Sequence, residues 1–155
     1  MIEGWNAVPG VVRVALKWFG ERVSLRLSHG WVTWHPETTA ARHLAGKYLQ
    51  GRMPSTTLRL TAVNVGGPCA VSDFGILLPG ADDPLLLKFA VFDDKDWPRC
   101  LVRRGDQVSV NVLPENLPDV GGLLCVTTNS GEIMKGSRLD SAQIRAAKRR
   151  ENPNR

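Results

Sequence analysis

Residues 56–78 read TTLRLTAVNVGGPCAVSDFGILL, two alternating apolar runs joined through Asn64, Gly66, Gly67 and Pro68. In the first run Leu58, Leu60 and Ala62 alternate with Arg59, Thr61 and Val63; in the second Phe74, Ile76 and Leu78 share a face. A period of two is the mark of a strand with one face in a core, and an Asn/Gly/Pro cluster is the chemistry of a tight turn. The stretch therefore predicts two paired strands with a short connection, the second closed by Pro79-Gly80.

The same periodicity recurs outward from this centre. Val108, Val110 and Val112 alternate with Gln107, Ser109 and Asn111 after the turn Arg104-Gly105-Asp106, predicting a strand with one face in the core and one in water. Leu123–Thr128 and Glu132–Lys135 flank Asn129-Ser130-Gly131, a hairpin signal of the type I plus bulge kind. Leu85–Phe92 is almost continuously apolar, as in a strand covered on both faces. A short run around Cys100–Val102 follows Trp97-Pro98.

Toward the N-terminus, Val23, Leu25 and Leu27 alternate up to His29-Gly30, where the glycine predicts a bulge or bend, and Trp31–Trp34 resume before Pro36. Val11–Phe19 fits two readings. Either it pairs through Gly20-Glu21 as a hairpin, which places Trp18 opposite Val23, or it is an amphipathic helix; the hairpin puts every large apolar residue on one face and is preferred. Residues 37–54 are a long connection in which Ala40, Ala41, Leu44 and Tyr48 are spaced for a short helix. About eight or nine short strands at regular spacing predict an all-β antiparallel sandwich or barrel.

The C-terminal stretch differs in kind. Asp140-Ser141-Ala142-Gln143 resembles a helix cap, opening a helix through Ile144 and Ala147 that stops at Pro153. Its apolar stripe is thin, so it needs a surface to dock on. From Arg138 onward six basic residues face two acidic ones, which places four of the net +5 charges in this segment. The domain reading is a single sandwich over 1–137, with 1–21 a hairpin or helix and 37–54 the long connection, followed by a basic helix or tail over 138–155.

The order Leu60-Thr61-Ala62-Val63-Asn64-Val65-Gly66, then Pro68 and a Val-containing strand, Trp97-Pro98, Leu101, Gly105-Asp106 and the Val108–Val112 strand resembles the immunoglobulin-like sandwich domains of many uncharacterised actinobacterial and actinophage proteins. The resemblance covers roughly Thr56–Lys135. It implies an immunoglobulin-like sandwich without catalytic residues, a binding or assembly module. Bacterial members often carry an N-terminal membrane segment; Pro9, Arg13 and Lys17 interrupt the corresponding stretch here. The start has no basic n-region, so neither a signal peptide nor a membrane span is expected, and synthesis in the cytoplasm is.

Constellations for chemistry are thin. His29, His35 and His43 lack zinc-ligand spacing. Asp93, Asp94 and Asp96 lack the glycine and distal Glu of a calcium loop and read as a solvated acidic loop. Cys69, Cys100 and Cys125 form no Cys-x-x-Cys pair and read as buried free thiols. No nucleophile elbow or phosphate loop is present. No cofactor, metal site or enzymatic activity is expected.

Candidate contact residues lie at the ends. Trp31 and Trp34 fall on opposite faces of one strand, so one must be exposed or covered by something else, making Trp34-His35-Pro36 the first candidate interface. Lys148, Arg149 and Arg150 form the second. The reading of the whole is a non-catalytic structural or assembly subunit, in its most specific form a phage virion component such as a capsid decoration, head-tail or tail accessory protein, binding neighbouring subunits or itself. The alternative is a bacterial module that touches acidic membrane lipid or nucleic acid through the basic tail, weakly and without sequence readout.

Overall fold

The alternating runs fold as strands, but the two at the centre do not pair with each other. The computed structural model describes residues 22–48, 55–91 and 97–151. In chain order these form β1 (Leu25–Thr33), α1 (Thr39–Tyr48), β2 (Thr56–Asn64), β3 (Cys69–Leu77), β4 (Leu85–Leu86), β5 (Ala90–Val91), β6 (Arg99–Leu101), β7 (Gln107–Val112), a 3-10 turn (Pro114–Asn116), β8 (Gly122–Thr128), β9 (Ile133–Leu139) and α2 (Ser141–Glu151). The reading of Val11–Phe19 as strand or helix lies outside the described residues.

Two antiparallel sheets face each other. One has the order β1-β2-β7-β5 and the other β4-β3-β8-β9, with β6 also on β3. The chain passes from the first sheet to the second between β2 and β3, so the predicted hairpin of residues 56–78 is instead an arch. The reason lies in the side chains: the inward faces of β2 (Leu58, Leu60, Ala62) and β3 (Val71, Phe74, Ile76) are all fully buried in one core. Side-by-side pairing would put them on one sheet and leave the opposite wall of the core unfilled.

Asn64 makes the arch possible. Its Nδ2 donates to the Leu101 carbonyl at 2.9 Å, its Oδ1 accepts the Gly66 N–H at 2.9 Å, and its backbone exchanges hydrogen bonds with Gly105 and Asp106. Gly66 lies so close to the start of β1 that a Cβ there would sit 2.3 Å from the Arg22 carbonyl oxygen. Gly67 N–H and Val65 N–H donate to the carbonyls of Arg22 and Ser24. The buried Asn64 thus ties β2 to β6 and to the turn before β7, while Val65 and Gly67 hold the entry to β1, at what we term the corner end.

Three other expectations are corrected. Gly30 causes no bulge, because β1 pairs without interruption from Leu25↔Asn64 to Thr33↔Thr56. Leu85–Phe92 is not one doubly covered strand: β4 edges one sheet with Leu85 and Leu86 exposed, and β5 edges the other. An apolar run that must cross between sheets serves two strands in turn. Of the three cysteines, Cys125 alone is buried; Cys69 is half-buried and Cys100 exposed, all as free thiols. The β8–β9 hairpin follows its sequence signal, with Gly131 at φ 85° and its N–H donating to Thr128.

Along one side β1 and β9 lie against each other without a ladder. A Cβ at Gly136 would come within 2.9 Å of Leu27, and His29 Nδ1 shares a hydrogen bond with Ser137 Oγ across this seam. At the far end of the sandwich α2 runs from the end of β9 to the start of β2. Its eleven residues span about 16 Å, more than the roughly 10 Å between packed sheets. Ile144 and Ala147 point inward, and Ile144 joins the main core. The helix therefore closes the sandwich at this cap end.

Candidate basic cleft at the cap end

Strand direction decides what meets at the cap end. The pairings Thr33↔Thr56, Leu58↔Val112, Leu77↔Leu123 and Gly122↔Leu139 place the last residues of β1, β3, β7 and β9 there, with the first residues of β2 and β8. The Trp34-His35-Pro36 segment, the 3-10 turn, the loop 118–121 and α2 all belong to this one end. The two candidate regions read from sequence therefore lie at the same end of the molecule.

Glu151, which the sequence did not single out, locks the far end of α2. Its Oε1 accepts from the Ser55 N–H at 2.9 Å, the Ser55 hydroxyl at 2.7 Å and the Thr56 N–H at 2.6 Å. Ser55 in turn gives its carbonyl to the Trp34 N–H at 2.8 Å. A carboxylate accepting three hydrogen bonds is a strong, directional anchor, and it couples the helix to the tryptophan segment through one residue.

Trp34 itself is largely buried. It is 8% exposed, covered by Ala41 of α1 and packed with Ala90 and Val32 on the outer face of the β1-β2-β7-β5 sheet. Its Nε1 donates to Thr57 Oγ1 at 2.7 Å, and that hydroxyl, having accepted, donates to Asn111 Oδ1 at 3.0 Å. Arg59 lies 5.9 Å from the indole centroid. Asn111, expected in water, is buried because α1 shelters this face. Thr38 caps α1 by accepting the Ala41 N–H at 3.3 Å while donating to the His35 carbonyl at 2.9 Å. Trp31 is half-buried against the main core, and His35 is exposed.

The basic residues come off α2 at helical spacing. Arg145, Lys148 and Arg149 lie at i, i+3 and i+4 and so share a face. With Asp119 they line an open cleft of about 660 Å³. Lys148 Nζ pairs with Asp119 at 2.6 Å, the lysine side chain 14% exposed and the aspartate 77%. Arg149 Nε donates to the Arg145 carbonyl at 3.4 Å, and Arg150 is exposed. Sequence reasoning placed Lys148, Arg149 and Arg150 as candidates but missed Arg145 and Asp119. The i, i+3, i+4 spacing held the signal for Arg145; nothing local pointed to Asp119, which reaches the helix through the tertiary fold.

Elsewhere the chemistry is sparse. Burial pushes the Cys125 thiol above its usual range, and burial with the neighbouring Cys100 does the same for Cys69. Thiols held protonated are poor nucleophiles. Among the described residues no three His, Cys, Asp or Glu side chains converge as metal ligands, and no helix is long and apolar enough to cross a membrane. No protein-family model matches the chain, and no curated protein or solved structure matches it either.

Proposed function

We propose that this chain is an immunoglobulin-like, non-catalytic assembly module that holds an acidic surface of a neighbouring protein subunit in the cleft along α2. The strand order supports the immunoglobulin-like part. With β1, β2, β7 and β5 as strands A, B, E and D, and β4, β3, β8 and β9 as strands C′, C, F and G, the strand order matches the A-B-E-D and C′-C-F-G sheets of such sandwiches, with β6 an additional short strand on β3. The conserved-type disulfide of antibody domains has no counterpart among the free cysteines.

The observation that carries the binding role is the rigid presentation of charge. Arg145, Lys148 and Arg149 line a cleft on a helix that is tied to one sheet by Glu151 and plugged into the core by Ile144. Cations held on a fixed frame lose less freedom on binding than cations on a tail. Lys148 is already paired with Asp119, so a carboxylate-bearing segment entering the cleft would exchange with Asp119 at Lys148. In its most specific form the role is that of a phage virion component, a capsid decoration, head-tail or tail accessory protein.

Fluorescence anisotropy with a labelled Asp/Glu-rich peptide tests this reading. Binding at low salt that weakens as salt rises, and falls about tenfold or more in Arg145→Glu/Arg149→Glu, is the expected result. Absence of peptide binding at low salt would overturn it. Exposed Arg149 and Arg150 in the last helical turn favour the second reading, contact with acidic membrane lipid or nucleic acid. Duplex DNA or anionic vesicles binding more tightly than the peptide would select that reading instead.

A further inference from the structure

We propose that the acidic surface received by the basic cleft is the β3–β4 turn of a second copy of this chain, so that two copies pair reciprocally through their cap ends. The inference rests on the cleft being a binding surface for carboxylates, as argued above, and names its occupant.

The turn begins where β3 ends. Leu77 pairs with Leu123, and a Cβ at the adjacent Gly122 would lie 2.4 Å from the Leu77 carbonyl oxygen, so residues 78–84 leave the sandwich beside the loop 118–121 that carries Asp119. The Ala81 N–H donates to the Leu78 carbonyl at 3.0 Å and Gly80 takes φ 77°, a tight reversal at Pro79-Gly80 directly after which Asp82 and Asp83 stand exposed. Pro84 follows and limits the backbone freedom of this acidic segment. Two carboxylates on a constrained turn are the complement of cations three and four residues apart on a helix.

Apolar surface accompanies both charges. Leu85 and Leu86, directly after the acidic segment, are 47% and 56% exposed; Val120, next to Asp119, is 57% exposed. Each half of the contact thus has a charged centre with an apolar flank, the composition that lets a desolvated interface form.

Symmetry follows from location. Because the acidic turn and the basic cleft occupy the same end of one chain, a two-fold axis between facing cap ends sets each turn against the other copy's cleft. The surface is self-complementary and the assembly closes as a dimer. Were the two patches at opposite ends, head-to-tail contacts would build a ring or an open filament instead.

The experiment uses charge reversal in the full chain, read by sedimentation velocity across a concentration series at low salt. Wild type is expected to dimerise with concentration. Asp82→Lys/Asp83→Lys and Arg145→Glu/Arg149→Glu should each weaken self-association by about tenfold or more, since each now presents like charges. Mixing the two variants is the decisive arm: the reversed turn of one meets the reversed cleft of the other and the native pair forms on the second side, so a heterodimer should form where neither variant pairs alone.

A wild type that stays monomeric at its highest soluble concentration overturns the proposal, as does a dimer indifferent to both reversals or a mixture that stays monomeric. Circular dichroism checks the fold of each variant; if a reversal unfolds the chain, Asp82→Asn/Asp83→Asn and Arg145→Gln/Arg149→Gln repeat the series. A monomeric wild type that still binds the acidic peptide through Arg145 and Arg149 would remove self-pairing and leave the cleft reading standing. Loss of both would remove both.

Discussion

Asn64 shows how one side chain can set a sandwich corner. Its amide offers a donor and an acceptor in opposite directions, and the fold uses both, reaching Leu101 on one side and Gly66 on the other while fully buried. Apolar replacement leaves the Leu101 carbonyl and the Gly66 N–H without their partner in a place water does not reach. Asn64→Ala should therefore cost about 1–3 kcal/mol in denaturant unfolding, against near-neutral change for the exposed Asn129→Ala. The residue was visible in the sequence as turn chemistry, but not its reach. A turn motif specifies local backbone shape, whereas the contacts to Leu101 and Arg22 depend on segments far away in the chain.

Among the elements, α2 departs furthest from what its composition suggests. Eleven residues ending in Lys148-Arg149-Arg150-Glu151 look like a solvated tail, yet Ile144 is fully buried and Glu151 binds three donors at the start of β2. The acceptor matters there more than the charge alone. Glu151→Gln keeps an Oε1 acceptor and should retain most of the anchor, while Glu151→Ala should destabilise the helix end by about 1–3 kcal/mol and speed hydrogen exchange at Ser55 and Thr56. The helix itself was legible from its start after Asp140 and the spacing of Ile144 and Ala147; its expected stop at Pro153 lies outside the described residues. Its docking site was not, because a thin apolar stripe says that a surface is needed without saying which. Leu85–Phe92 failed for a related reason: a continuous apolar run is the same whether one strand is covered twice or two short strands lie on different sheets.

For the molecule as a whole, the all-β sandwich was legible because the alternating runs are strong at Leu58–Ala62, Val108–Val112 and Leu123–Thr128. The partition of those strands between sheets was not, since β2 and β3 are neighbours in sequence and belong to different layers. The candidate site was half legible: Lys148 and Arg149 stood out by charge, whereas Asp119 joined them through folding. Because Ile144 belongs to the main core between the sheets, removal of residues 141–155 should broaden or abolish the cooperative thermal transition rather than yield a stable sandwich lacking only its basic face. A sharp transition at an unchanged midpoint after this truncation would count against the cap role of α2.

The two points of closest backbone approach, Gly66 against Arg22 and Gly121 against Leu139, stand at opposite ends of the sandwich. Neither leaves room for a single methyl group, so neither position can drift as surface positions do. Together with Asn64 they form a sparse fingerprint. Descendants of this chain that have diverged beyond ordinary sequence detection should still carry these three residues in place, and a search for that spacing within a field of alternating strands is the means by which its kin would come to light.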